Sequence, residues 1–161
     1  MKIYRSLSLF FGLGLALSGL LACRAKAPAG TAATAVALIR FERTACMGPC
    51  PVDVLTIYAD GQMRYEGRKE PPRLGAYAGH LSAPERTALI KEFEDAHFFD
   101  FAAAYTSQAL DLPTYYLTFT LAGRSHRVQD YDRAPTSLKH LEDILVKLID
   151  AKRWHRKKGQ I

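Results

Sequence analysis

Two cysteines stand four positions apart in the stretch Arg43-Thr44-Ala45-Cys46-Met47-Gly48-Pro49-Cys50-Pro51. Their spacing permits three chemistries. A disulfide between Cys46 and Cys50 would clamp a turn, stabilising it by about 2 kcal/mol for so small a loop. A thiol-redox pair needs a lowered thiolate pKa, often supplied by a helix N-terminus, whereas Pro51 and a strand-like run follow Cys50. Two soft thiolates could also hold Cu(I). The disulfide is the preferred reading, with the redox and Cu(I) readings as alternatives.

Few other residues have the spacing of a site. Arg43, Asp111, Asp130 and Tyr131 could line a binding cleft, although Asp111 is as readily a turn former. His80, His97, His126, His140 and His155 are scattered, with no pair four apart on a helix, so no metal ligand set is expected. Asp95 and His97, two apart, cannot face each other on a helix. Asp53 is given no role. No nucleophile elbow, phosphate loop or paired-carboxylate motif occurs; no catalytic residue and no cofactor is assigned.

The elements that must position these residues follow from periodicity. Residues 36–42 place Ile39 and Phe41 on one side of a strand. A second strand over 52–58 and a third over 63–67 flank Asp60-Gly61, a strong hairpin signal, with Leu55 and Ile57 opposite Met63 and Tyr65. A short strand over 75–81 precedes Ser82-Ala83-Pro84-Glu85, which has capping-box spacing. The helix it opens carries Leu89, Ile90, Phe93 and Ala96, and an aromatic cluster of Phe98, Phe99 and Phe101 follows. Residues 114–121 alternate cleanly, Ala122-Gly123 turns the chain, and 125–131 return. Pro135 begins a last helix with Leu138, Leu141, Ile144, Leu145, Leu148 and Ile149 at helical spacing. Hairpins without strand-helix alternation predict an α+β domain, an antiparallel sheet covered on one face by two helices.

The N-terminus reads as a targeting signal. Lys2 and Arg5 precede a largely apolar run over 7–21, too short to span a bilayer at ~20 residues. Leu20-Leu21-Ala22-Cys23 resembles the lipobox of bacterial lipoproteins, which implies cleavage after residue 22 and a diacylglycerol on Cys23. Two acyl chains suffice for stable anchoring. Residues 23–35 then form the lipidated cysteine and a flexible tether, 36–152 a single domain, and 153–161 a basic tail. Arg24 after the lipidated cysteine, by resemblance to the sorting pattern of enterobacterial lipoproteins, implies the outer membrane, facing the periplasm. The expected partners are therefore the membrane, through the anchor, and an unidentified envelope protein or ligand.

Charge fits that location. The chain has 22 basic and 16 acidic residues; losing Lys2 and Arg5 leaves 20 against 16, or +4. Such a balance is too mild for a nucleic-acid protein, and export argues further against one. The expected oxidising compartment leaves Cys46 and Cys50 as an even pair.

Two further resemblances bear on the centre of the chain. Cys46-x-x-x-Cys50-Pro51 is similar to the motif of Sco-type copper chaperones, but those have a thioredoxin-like fold, and strand-helix alternation is lacking here. Residues 41–51, Leu55-Thr56-Ile57-Tyr58, Asp60-Gly61 and Tyr65-Glu66-Gly67, with Asp111-Leu112-Pro113-Thr114 and Asp130-Tyr131, resemble a bacterial family known as domain of unknown function 6438. That resemblance supports the domain boundaries and carries over no activity. The expectation is an envelope lipoprotein whose domain is a binding or structural module; the alternative is a thiol-redox or Cu(I)-handling protein, and a hydrolase built on Arg43, Asp111 and Asp130 is a third.

Overall fold

A computed structural model of the chain describes residues 36–151 and 154–156. The signal over 1–22, Cys23 and the tether lie outside the described residues, as do Lys152, Arg153 and residues 157–161. The fold is mixed α+β, built on one mostly antiparallel sheet with two α-helices. Its elements are β1 (Ala37–Arg43), β2 (Val52–Tyr58), β3 (Gln62–Lys69), β4 (Gly75–His80), α1 (Ala83–Asp95), a 3-10 turn (Phe98–Asp100), β5 (Ala104–Tyr105), β6 (Tyr115–Leu121), β7 (Arg124–Asp130), α2 (Thr136–Asp150) and β8 (His155–Arg156). Across the sheet the order is β5-β7-β6-β1-β2-β3-β4-β8.

Register follows the hydrophobic alternation. Ile39 stands opposite Ile57 and Phe119, Phe41 opposite Leu55 and Leu117, while Leu55 meets Tyr65 and Ile57 meets Met63. All of these are buried, whereas the intervening Arg40, Arg64, Glu66 and Arg127 are exposed. A one-residue slip would exchange the two sets, which pins the register. The buried helix residues, Leu89 and Phe93 from α1 and Leu138, Leu141, Leu145 and Ile149 from α2, belong to the same core cluster. Phe93, Phe98 and Phe119 meet there with ring centroids 4.7–5.8 Å apart.

Local chemistry sets the ends. Gly61, at φ +88°, sends its N–H back to Tyr58 and closes the β2–β3 hairpin. Ser82 caps α1: its hydroxyl accepts from the Glu85 N–H, and the Glu85 carboxylate accepts from the Ser82 N–H at 2.8 Å. Arg73 crosses from the β3–β4 loop to the last carbonyls of α2, donating to Ile149 and to Asp150 and Ala151 at 3.1 Å. A cation there satisfies orphan acceptors and complements the helix dipole.

Two short strands depart from the pattern read in the sequence. β5 runs parallel to β7, making one parallel pair in an otherwise antiparallel sheet. His155 and Arg156, within the stretch read as a basic tail, pair with Ala78 and Tyr77 of β4.

Candidate functional site

Continuing the register of β1 by two residues beyond Phe41 places charge in the core. Arg43 stands opposite Asp53 on β2 and Tyr115 on β6, and Tyr115 opposite Asp130 on β7. Antiparallel partners share a face, so this polar row lies on the buried side of the sheet. It forms two clusters on either side of Tyr115.

In the first, the Arg43 guanidinium binds Asp53 bidentately, Nε to Oδ1 at 2.8 Å and Nη2 to Oδ2 at 2.6 Å. Tyr65 donates its hydroxyl to the same Oδ2 at 2.8 Å. Arg43 and Asp53 are only 5% and 1% exposed. Burial works against the Arg43 cation, and the hydrogen bond and charge of Asp53 outweigh it, leaving its pKa raised. Burial, then the Asp53 hydrogen bond, pushes the Tyr65 phenol well above its ordinary value and keeps it a neutral donor.

The second cluster joins β7 to α2. Lys139 donates to Asp130 and, at 3.4 Å, to Glu142, and its ammonium lies 5.6 Å from the Tyr115 ring centre. Both carboxylates are buried, and among the described residues Asp130 Oδ1 and Glu142 Oε1 have no hydrogen-bond partner. Burial and then the charge of Asp130 push the Glu142 carboxyl up to about 8, against the pull of Lys139. Burial also opposes the Lys139 cation, but the Asp130 hydrogen bond and the Glu142 charge prevail and raise its pKa. A carboxyl pushed up this far favours its neutral form, which eases the crowding of two buried carboxylates about one half-exposed ammonium.

Directly above this row sits the cysteine turn. Cys46 and Cys50 are joined as a disulfide, Cα atoms 5.7 Å apart, between the end of β1 and the start of β2. The Gly48 N–H points at Cys46 Sγ, 3.2 Å away. Thr44 fastens the turn to the loop before β6: its N–H donates to Thr114 O at 3.0 Å, and its hydroxyl accepts from the Thr114 N–H at 2.9 Å.

The residues singled out in the sequence are distributed as follows. Arg43 and Asp130 enter one buried row, separated by Tyr115. Asp111 is exposed in the 106–114 loop at φ +67°. Tyr131 donates to Ala109 O at 2.7 Å and so pins that loop. Asp53, Tyr65, Lys139 and Glu142 were missed, yet the signal was present: Asp53 is in strand phase with Leu55 and Ile57, and Glu142 in helix phase with Leu138, Leu145 and Ile149. A charge on the apolar phase of an element needs a partner on the facing one.

Among the described residues no group of three or more histidine, cysteine or acidic side chains is placed to hold a metal ion, and no helix is long and apolar enough to cross a membrane. The model of one protein family, domain of unknown function DUF6438, matches residues 37–149, from the first residue of β1 almost to the end of α2. The chain belongs to the DUF6438 family. No curated protein and no solved structure matches it. In this DUF6438 chain the cysteine turn, the Arg43–Asp53–Tyr65 cluster and the Asp130–Lys139–Glu142 cluster all fall inside the matched span.

Proposed function

We propose that the protein is a lipid-anchored envelope lipoprotein, held through Cys23 on the periplasmic side of the outer membrane, whose domain is a binding module with a structural disulfide. One observation carries the module part of this reading: Arg43, Asp53 and Tyr65 are closed on one another beneath the Cys46–Cys50 turn, which suits a rigid scaffold better than a reacting centre. In this reading α1 and α2 both cover the buried face of the sheet and leave the other face for contact.

Membrane fractionation tests the anchor. Cys23→Ser should release the protein from membranes, and retention of that variant with the signal intact would overturn it. Free-thiol counting tests the disulfide, which should resist mild reductant.

The thiol-redox reading is the second choice, and the contact from the Gly48 N–H to Cys46 Sγ favours it, since that N–H would stabilise a Cys46 thiolate after reduction. Two thiols appearing under mild reductant, or stoichiometric Cu(I) uptake by the reduced chain, would select this alternative.

A further inference from the structure

On the face of the sheet opposite the core, one cross-strand row reads Arg127, Thr118, Arg40, Thr56, Arg64 and Ala78, each opposite the next on β7, β6, β1, β2, β3 and β4. Arginines thus alternate with threonines. With strands about 4.8 Å apart, successive arginines stand roughly 10 Å from one another along the row.

These cations are presented for contact. Arg64 stacks 5.4 Å from the Tyr58 ring centre and Arg127 4.2 Å from that of Tyr116, which fixes their direction without neutralising them. Among the described residues neither has a carboxylate in ion-pair range, while Arg40 meets only the partly exposed Glu42 at 3.2 Å. A hollow of about 190 Å³ lies between Arg40 and Arg64, lined also by Thr56, Ala76 and Glu66.

We propose that this face binds an anionic polysaccharide, a linear sugar chain bearing carboxylate or phosphate groups, laid along the arginine row. The inference rests on the binding-module reading and names its ligand class. Charge complementarity supplies the cations, and Thr56 and Thr118 supply hydroxyls between them for a hydroxyl-rich chain. A membrane surface fits less well. Glu42 and Glu66 flank the row and would meet anionic headgroups, and the exposed large hydrophobics Val36, Met47, Leu74, Leu110 and Leu112 all stand outside the strands that carry the row. A linear chain following the row meets the carboxylates at one stretch only, where Glu42 is already paired with Arg40 and Glu66 lines the hollow.

The test uses the full chain in detergent, titrated with polygalacturonate, with uncharged dextran of similar length, with vesicles of phosphatidylcholine and phosphatidylglycerol, and with a single-stranded oligonucleotide. Polygalacturonate should bind, more weakly as salt rises, and dextran should not. The double variant Arg64→Ala with Arg127→Ala should weaken binding roughly tenfold, while Lys91→Ala on α1, which removes one cation elsewhere, should leave it unchanged. Should the double variant fail to fold, Arg64→Lys with Arg127→Lys, which keeps charge but loses the planar stack, should still weaken binding severalfold. No binding of polygalacturonate, an undiminished double variant, an equal loss in Lys91→Ala, or tighter binding of vesicles or oligonucleotide would each overturn the proposal. Failure of the binding-module reading is distinguishable, because it appears as two thiols released under mild reductant, or as stoichiometric Cu(I) uptake, whatever the titrations give.

Discussion

Asp53 accepts three hydrogen bonds in the core, two from Arg43 and one from Tyr65, so its carboxylate is the acceptor they share. Asp53→Ala would leave a buried guanidinium and a buried hydroxyl without their shared acceptor, so stability should fall by about 3–5 kcal/mol in urea denaturation. Replacing both charges, Arg43→Met with Asp53→Leu, should recover most of that loss; a double variant as unstable as the single would show that the pair itself, and not its unpaired remnant, carries the energy. Glu142 gives a pH signature. Its folded pKa of about 8 lies above the ordinary 4.5, so the folded state holds a proton that the unfolded chain releases across that interval. The contribution is complete below the ordinary carboxyl range and is lost as pH rises towards 8. Melting temperature should therefore decline from mildly acidic to mildly alkaline pH, and Glu142→Gln should flatten the decline; an unchanged slope in that variant would refute the assignment. Neither cluster was read from the sequence, since a lone Asp53 or Glu142 in an apolar stripe shows its burial but not which residue on another element faces it.

At the scale of elements, hairpins and helices were legible because each carries its own signals: Asp60-Gly61 for the β2–β3 turn, Ser82 with Glu85 for α1, and the stripe from Leu138 to Ile149 for α2. β5 and β8 were not, because two residues hold too little periodicity to register and their pairing depends on distant partners. The cysteine turn shows the limit of local bonds. Thr44 already ties it to Thr114, so Cys46→Ala should cost about 2 kcal/mol and leave the fold intact. Loss of all cooperative unfolding in that variant would mean the bridge organises more than its own loop. A backbone substitution in β3 should matter more. A Cβ on Gly67 would lie 2.0 Å from the Arg73 carbonyl oxygen, so Gly67→Ala must displace the loop whose arginine caps α2. Its destabilisation should exceed that of Arg73→Ala alone, compared by thermal denaturation.

At the scale of the molecule, the sheet must end somewhere, and exposed strand edges invite association. Both of its edges are two-residue strands, β5 beyond β7 and β8 beyond β4. β8 is held there by Trp154, whose ring lies 5.6 Å from that of Tyr65 and whose indole N–H donates to Ile149 O at 2.9 Å. Gly79 makes room for it: a Cβ at that position would come within 3.2 Å of the indole and 2.9 Å of Met63. One side chain thus joins the end of α2, the core under β3 and the closing strand, so its removal should act on both stability and solubility. Trp154→Ala should lower stability by about 2–3 kcal/mol, somewhat less than for a fully buried tryptophan because this one is half-buried. Loss of its grip on β8 should also uncover the β4 edge and produce concentration-dependent association, measured by light scattering below the melting temperature. Trp154→Phe, which keeps the ring but lacks the N–H, should restore solubility before it restores full stability. Equal behaviour of the two variants in both measurements would show that the hydrogen bond to Ile149, and not the packing over Gly79, holds the edge closed.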